Sequence, residues 1–262
     1  MNQQKISCYI LTYNSERWLP TVLKSLSSLI DELVIVDSGS NDSTLDIAKE
    51  FSGKIYHREF DDFVSQRNFA LTHCNYPWIL AVDSDEVMDP KLLNRLKQLK
   101  ANNFCYQNQF PDGFQLPRRW ILFGREVRAF LPITSPDYPL RLFKKSKAQY
   151  DANRCVYEDL DLSTLKIVRL NTGALWHYSC DDDKLLEMKL QCYTDLAARD
   201  LARRGKTAGN FKCWLSTVAN FWKWYIVKQG WRDGRVGWKL GRYAARYAYL
   251  KYYKLTILNM AA

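Results

Sequence analysis

Short apolar runs separated by polar turns recur through the front of the chain, and most are followed by a segment whose apolar residues return at helical spacing. Ile6-Ser7-Cys8-Tyr9-Ile10-Leu11 predicts a strand that stops at Thr12-Tyr13-Asn14-Ser15-Glu16. With Ser15 as a cap and Pro20 tolerated in the first turn, Leu19, Val22, Leu23, Leu26 and Leu29 then fall on one helical face. Leu33-Val34-Ile35-Val36 predicts a second strand, which ends in the polar turn 37–44 and leads into a helix. Lys54-Ile55-Tyr56-His57 makes a third strand, 63–72 a helix, Trp78-Ile79-Leu80-Ala81-Val82 a fourth strand and 90–99 another helix. This alternation predicts an α/β fold with a mainly parallel sheet between helical layers. Thr12, Asp37 and Asp83 then all stand at carboxyl ends of strands, on the rim where open α/β sheets keep their ligands.

The rhythm changes near Phe114-Gln115-Leu116 and again over 138–143, where alternating apolar residues with Gly and Pro punctuation predict antiparallel strands. Further short strands are expected at 165–170 and 174–176, and the Pro-rich stretch 111–139 reads as irregular. From Asp183 onward the pattern is helical. Phe211, Trp214, Leu215, Val218, Trp222 and Tyr225 form one apolar stripe, and Val236, Leu240, Tyr243, Tyr247 and Leu250 form another. Arg235, Lys239, Arg242 and Arg246 run beside the second stripe, rotated by one residue. The expected organisation is a catalytic or binding domain over 1–180 and a helical extension over 181–262.

Charge sharpens that division. Residues 1–183 carry 22 Lys and Arg against 24 Asp and Glu, whereas 184–262 carry 16 against 4, so the net charge of +10 belongs to the back of the chain. Five of the nine Trp lie there as well, so cations and aromatics share one region and point to an anionic or interfacial partner. The seven Cys are odd in number and dispersed, with no C-x-x-C pair, which predicts reduced thiols rather than a zinc site or disulfide framework. Neither a secretion signal nor an apolar run of membrane-spanning length is expected, which suits a cytoplasmic protein.

The stretch Trp78 to Glu86 carries the candidate chemistry: an apolar strand ends in Asp83-Ser84-Asp85-Glu86. Carboxylates two residues apart on a strand point the same way and repel unless a cation lies between them, which suggests a hard divalent ion gripping phosphates. The plainer reading makes these acids the N-terminal charges of the helix that opens at Pro90. Asp37 alone is equally a turn or cap residue.

Ile10 to Glu16, Val34 to Thr44, Gln66-Arg67-Asn68 and Val82-Asp83-Ser84-Asp85, in this order, resemble family 2 glycosyltransferases of the GT-A fold. Val156-Tyr157-Glu158, Trp176-His177-Tyr178 and Gln229-Gly230-Trp231-Arg232-Asp233-Gly234 with Gly237 resemble the narrower group of lipopolysaccharide inner-core β-glucosyltransferases of Gram-negative bacteria. The resemblance implies a UDP-sugar donor, bound Mg²⁺ or Mn²⁺, inversion at the anomeric carbon, and a lipid-linked oligosaccharide acceptor. The adjacent cationic and apolar stripes of the last helix themselves suit docking on an anionic membrane surface, at the cytoplasmic face of the inner membrane. Carried over, Thr12 and Asn14 line the nucleotide pocket, Glu16 approaches the diphosphate, and Asp37 and Arg67 serve the base. Asp83 meets ribose or metal, Asp85 ligates the metal with His177 completing its shell, and Glu158 is the catalytic base. Tyr157 stands where the narrower group often has His. Taken alone, Glu158 is also a loop acid beside Asp159 and Asp161, and His177 is also a structural residue.

Two other classes compete. Val82-Asp83-Ser84-Asp85-Glu86-Val87 fits the opening motif of haloacid dehalogenase-like phosphatases, with Asp83 as nucleophile and Asp181-Asp182 as a second acidic motif, although three strand candidates precede it. A non-catalytic nucleic-acid or lipid binder would explain the basic, aromatic back and leave the acidic rim unexplained.

Overall fold

Seven strands form one mixed sheet with the N-terminal apolar run near its middle. The computed structural model describes residues 4–148 and 165–261, which divide into two compact units. Among the described residues, the first unit holds 4–118, 138–148 and 165–177, and the second 119–137 and 178–261.

In the first unit, β1 (Ile6–Thr12), α1 (Leu19–Leu26), β2 (Glu32–Asp37), α2 (Thr44–Glu50), β3 (Lys54–His57), α3 (Phe63–His73), β4 (Trp78–Ala81), β5 (Glu86–Met88), α4 (Pro90–Ala101) and β6 (Gly113–Gln115) follow in order. The chain then passes β7 (Arg118–Leu122), β8 (Arg125–Glu126), β9 (Ala129–Phe130) and β10 (Ile133–Thr134). It returns as β11 (Leu140–Lys144), β12 (Ile167–Arg169) and β13 (Leu175–Cys180). The large sheet runs β12-β6-β11-β4-β1-β2-β3. Strands β4, β1, β2 and β3 are parallel, while β11 lies antiparallel to both β4 and β6.

Alternation along the central strands decides which residues meet which layer. Ile6, Cys8, Ile10, Leu33, Ile35, Leu80 and Val82 face α1 and α4 through Leu19, Val22, Leu23, Leu26, Leu92, Leu96 and Leu99. Tyr9, Val34, Val36, Ile79 and Ala81 face α3 through Val64, Ala70 and Leu71. Burial on both faces explains why these strands read as continuous apolar runs. Each fully buried Leu or Ile contributes about 1.5–3 kcal/mol relative to exposure.

The stretch 111–139, expected to be irregular, carries β7 to β10, and local details differ from the sequence expectation in three further places. Ser15 is not the cap of α1: Trp18 holds that position without a side-chain capping hydrogen bond, and the Ser15 hydroxyl turns to Ser84 Oγ at 2.9 Å. Strand β4 stops at Ala81, so Asp83 and Asp85 lie in a turn and do not alternate along a strand. Strand β13 runs on to Cys180, which puts His177 inside it and opposite Glu86 of β5. Ahead of β13, Gly173 has φ +71° and passes so close to α4 that a Cβ would stand 2.3 Å from the Leu92 nitrogen.

The second unit packs α5 (Asp183–Arg203), α6 (Asn210–Phe221) and α7 (Gly234–Ala261) with the segment 119–137. Asp182 caps α5 by accepting from the Leu185 nitrogen at 2.7 Å. The α7 stripe is inward, with Leu240, Tyr243 and Tyr247 buried against Trp120, Phe130, Leu186 and Leu190. Of the adjoining cations, Lys239 holds Asp183 at 2.7 Å, and Arg246 grips Glu187 through two bonds of 2.7 and 2.9 Å. The glycines of the tail motif have a structural cause: a Cβ on Gly237 would stand 1.8 Å from the Gly230 carbonyl oxygen. Buried Asp233 accepts from the Arg128 nitrogen at 2.8 Å and fastens the motif to the strand segment. No described helix is long and apolar enough to cross a membrane.

Candidate active site

Parallel register brings Thr12 and Asp37 side by side at the ends of β1 and β2. The Thr12 hydroxyl donates to Asp37 Oδ1 at 2.8 Å, as does Ser40 Oγ at 2.5 Å, and Oδ2 accepts from the nitrogens of Gly39 and Ser40 at 2.9 and 2.8 Å. Burial pushes the Asp37 carboxyl up, but these donors, Ser40 foremost, outweigh it and hold the group below its usual range. An ionised carboxylate offers about four acceptor positions, so the loop uses them all.

The β1–α1 and β2–α2 loops are laced together around this acid. Asn14, in the left-handed region at φ 47°, donates its backbone N–H to Ser40 Oγ at 2.9 Å and accepts from the Asn41 nitrogen at 2.9 Å. The Glu16 carboxylate accepts from the Ser43 nitrogen at 3.0 Å, while its own backbone N–H donates to Asp42 Oδ2 at 3.1 Å. The Ser15–Ser84 bond carries the lacing to the loop after β4. Thr12, Asn14, Glu16 and Asp37 therefore share one rim with the Asp83–Asp85 turn.

Asp83 faces guanidinium groups. Arg67 of α3 donates to its Oδ1 at 2.9 Å, Arg141 of β11 donates to its Oδ2 at 2.5 Å, and Arg118 lies 3.8 Å away. Burial raises the Asp83 carboxyl, and Arg141, Arg67, His177 and Arg118 outweigh it, holding the acid well below its usual range. Beneath it, Glu86 is fully buried and accepts from Arg118 at 2.9 Å and from Arg141 at 2.5 Å. Its second oxygen accepts from the Asp83 nitrogen at 3.2 Å. Burial lowers the Arg141 guanidinium, yet Asp83 and Glu86 raise it further, so the group stays charged. Two acids thus hold three arginines at the base of the rim.

Asp85 has a different neighbour: its Oδ1 lies 3.1 Å from His177 Nε2. The pairing of His177 with Glu86 across β13 and β5 sets this approach, because Asp85 immediately precedes Glu86. Both side chains are largely covered, at 9% and 23% exposure for His177 and Asp85. The carboxylate suits Mg²⁺ or Mn²⁺, either of which keeps further positions for phosphate oxygens and water, and the imidazole beside it favours the transition ion Mn²⁺ over Mg²⁺. Among the described residues no three His, Cys, Asp or Glu side chains gather as a metal cluster, so any remaining ligands must come from elsewhere.

Eight of the nine predicted site residues thus lie in the first unit, with Asp83 and Arg67 in direct contact; Glu158 lies outside the described residues. Sequence reasoning missed Arg118, Arg141 and the anchoring role of Glu86. A detectable signal was Arg141 itself, a charge inside the alternating strand Leu140-Arg141-Leu142-Phe143. A cavity of about 1120 Å³ lies at the opposite end of β4, lined among others by Tyr76, Trp78, Phe104 and Lys145, and includes none of these residues.

Comparison with known proteins bears on the fold and the family. An uncharacterised glycosyltransferase of Rickettsia typhi is 26% identical over 86% of the chain and 78% of its own length. The lipopolysaccharide core biosynthesis glycosyltransferase LpsC of Rhizobium meliloti is 28% identical over 94% of the chain and 89% of its own. Among solved structures, glucosyl-3-phosphoglycerate synthase from Mycobacterium tuberculosis, in complex with Mn²⁺, UDP and phosphoglyceric acid, superposes with a TM-score of 0.50. It is 18% identical and covers 79% of this chain and 80% of its own. The sheet and flanking helices are thus a GT-A-like α/β fold. Residues 7–152 match the family described as glycosyl transferase family 2, more than half of the chain, and the protein belongs to that family.

Proposed function

We propose that the protein moves glucose from a UDP-sugar to a heptose of a lipopolysaccharide or lipooligosaccharide core, with inversion at the anomeric carbon. The observation that carries this reading is the single rim on which the Asp37 loop, the Asp83–arginine cluster and the Asp85–His177 pair are tied through Ser15 and Ser84. The name of the Rhizobium relative supports a core acceptor, and the Mn²⁺ and UDP in the mycobacterial complex support the donor and the ion.

Residues 1–180 bind the donor and perform the transfer. Thr12 and Asn14 line the uridine pocket, and Asp37 accepts from the uracil imide, whose N–H takes the place of the Ser40 hydroxyl. Arg67 serves the base side and holds Asp83 toward the ribose, and Glu16 borders the diphosphate. Asp85 and His177 hold Mg²⁺ or Mn²⁺, which when bound acts as a Lewis acid on the departing diphosphate. Glu158 takes the proton of the acceptor hydroxyl as its oxygen attacks the anomeric carbon; the bond from that carbon to the diphosphate breaks, and UDP leaves with the electron pair. The acceptor is lipid-linked, which places the protein at the cytoplasmic face of the inner membrane.

A donor screen tests the reading. Thermal shifts with uridine, guanosine and thymidine diphosphate sugars, with and without Mn²⁺, should show stabilisation by the uridine series that increases with the ion. A preference for another nucleotide, or none, would overturn it.

A further inference from the structure

Helix α6 is inside out. At about 100° per residue, Phe211, Trp214, Leu215, Val218 and Trp222 fall within roughly 100° of one another on one face. That face is outward: Phe211 is 75% exposed, Trp214 62% and Trp222 61%. Cys213 on the opposite side is buried, as is Trp224 in the following turn. The packed side is fixed where Gly241 of α7 lies against Phe221 and Tyr225, so closely that a Cβ there would meet Tyr225 at 3.1 Å. The outward face continues through Ile226, Val227 and Trp231, all exposed.

Charge says what this face meets. Residues 201–262 contain 13 Lys and Arg and a single acid, Asp233, which is buried. Lys212, Lys223, Lys228 and Arg232 are exposed along the same stretch and form no ion pair with a carboxylate among the described residues. On α7 the apolar face is buried instead, and of its basic stripe Lys239 and Arg246 are held by Asp183 and Glu187 while Arg235 and Arg242 are exposed. Trp rings suit the headgroup level of a bilayer, and cations beside them suit anionic lipid. Leu215, Val218, Ile226 and Val227 cannot stack on bases and need an apolar medium, which favours a bilayer over a nucleic acid.

We infer that the outward face of α6 and the turn after it seat the protein on an anionic lipid bilayer. This rests on the lipid-linked acceptor proposed above and moves the docking surface from the basic stripe of α7 to α6.

Flotation of the full chain with vesicles of phosphatidylcholine, alone or with phosphatidylglycerol, tests it. The wild type should float with the anionic vesicles only. Lys223→Glu with Lys228→Glu should weaken binding by at least about 25-fold, since each cation near an anionic surface contributes about fivefold. Trp214→Ser with Trp222→Ser should abolish flotation while leaving the circular dichroism melt and UDP binding in vesicle-free buffer unchanged. UDP binding reads the nucleotide-sugar assignment separately, so either can fail alone. A wild type that stays unbound, Trp variants that float as well as it does, RNA binding as tight as vesicle binding, or self-association lost in the same variants would each overturn the inference.

Discussion

His177 Nε2 stands 3.1 Å from Asp85 Oδ1 although the two are 92 positions apart in the chain, because β13 returns antiparallel to β5 and puts His177 opposite Glu86. The strand pairing brings together an acid in a turn and an imidazole on a strand, the two residues proposed above to hold the metal. Removing either should cost the same thing. Asp85→Ala and His177→Ala are each expected to lower UDP-sugar turnover by about 10²- to 10³-fold, the range seen when one charge-stabilising group is lost. Steady-state rates across a Mn²⁺ titration read this, and a variant with wild-type turnover would take its residue out of the metal shell.

Glu86 anchors the arginines, and its loss should appear in stability. Glu86→Ala leaves Arg118 and Arg141 without their buried acid and should destabilise the chain by about 3–5 kcal/mol, as for a broken buried ion pair. Urea titration followed by tryptophan fluorescence measures it; a change under about 1 kcal/mol would mean that Asp83 alone holds both guanidiniums.

Glu32 predicts a pH dependence. Burial raises its carboxyl, but bonds from Lys54, Ser7 and Asn75 outweigh it and lower the group to about 2. A folded value below the unfolded one gives stability that is present above the unfolded value and lost as pH falls through the folded one. Between about pH 4.5 and 2, unfolding should therefore take up about one more proton in the wild type than in Glu32→Gln. Denaturation across that window in both proteins checks it, and equal slopes would contradict it.

Gly237→Ala should be among the most damaging substitutions in the second unit, since its Cβ would overlap the Gly230 carbonyl. Destabilisation of at least about 1–3 kcal/mol is expected from overpacking of this kind. Gly209→Ala, where a Cβ meets nothing within 4 Å, is the control. Thermal melts of both should separate them clearly.

Glu158→Gln should lose about 10²- to 10⁴-fold in turnover and keep its donor affinity, the signature of a missing general base. Single-turnover rates and calorimetric UDP-sugar binding read the two effects apart; weakened donor binding with intact chemistry would make Glu158 a pocket residue.

Much of the front half was legible because parallel strands buried on both faces must read as apolar runs, and the residues after them must share a rim. Thr12, Asp37 and Asp83 were found this way. The arginine cluster was hidden because Arg67, Arg118 and Arg141 come from three distant elements, and only register brings them to one acid. Ser15 misled for a related reason: its hydroxyl suits a helix cap, but Ser84 competes for it from another loop. The α6 stripe shows the limit of periodicity, which finds an apolar face without saying whether it points into the protein or away from it.

The central claim is that this rim grips a nucleoside diphosphate through a cation held by Asp85. Calorimetric titration of UDP into the full chain, with Mn²⁺ and with EDTA, tests it most directly. Wild type should bind UDP at least about tenfold more tightly with Mn²⁺, and Asp85→Ala should bind equally in both conditions. Binding that is indifferent to Mn²⁺ in the wild type, or equally enhanced in Asp85→Ala, would contradict the account.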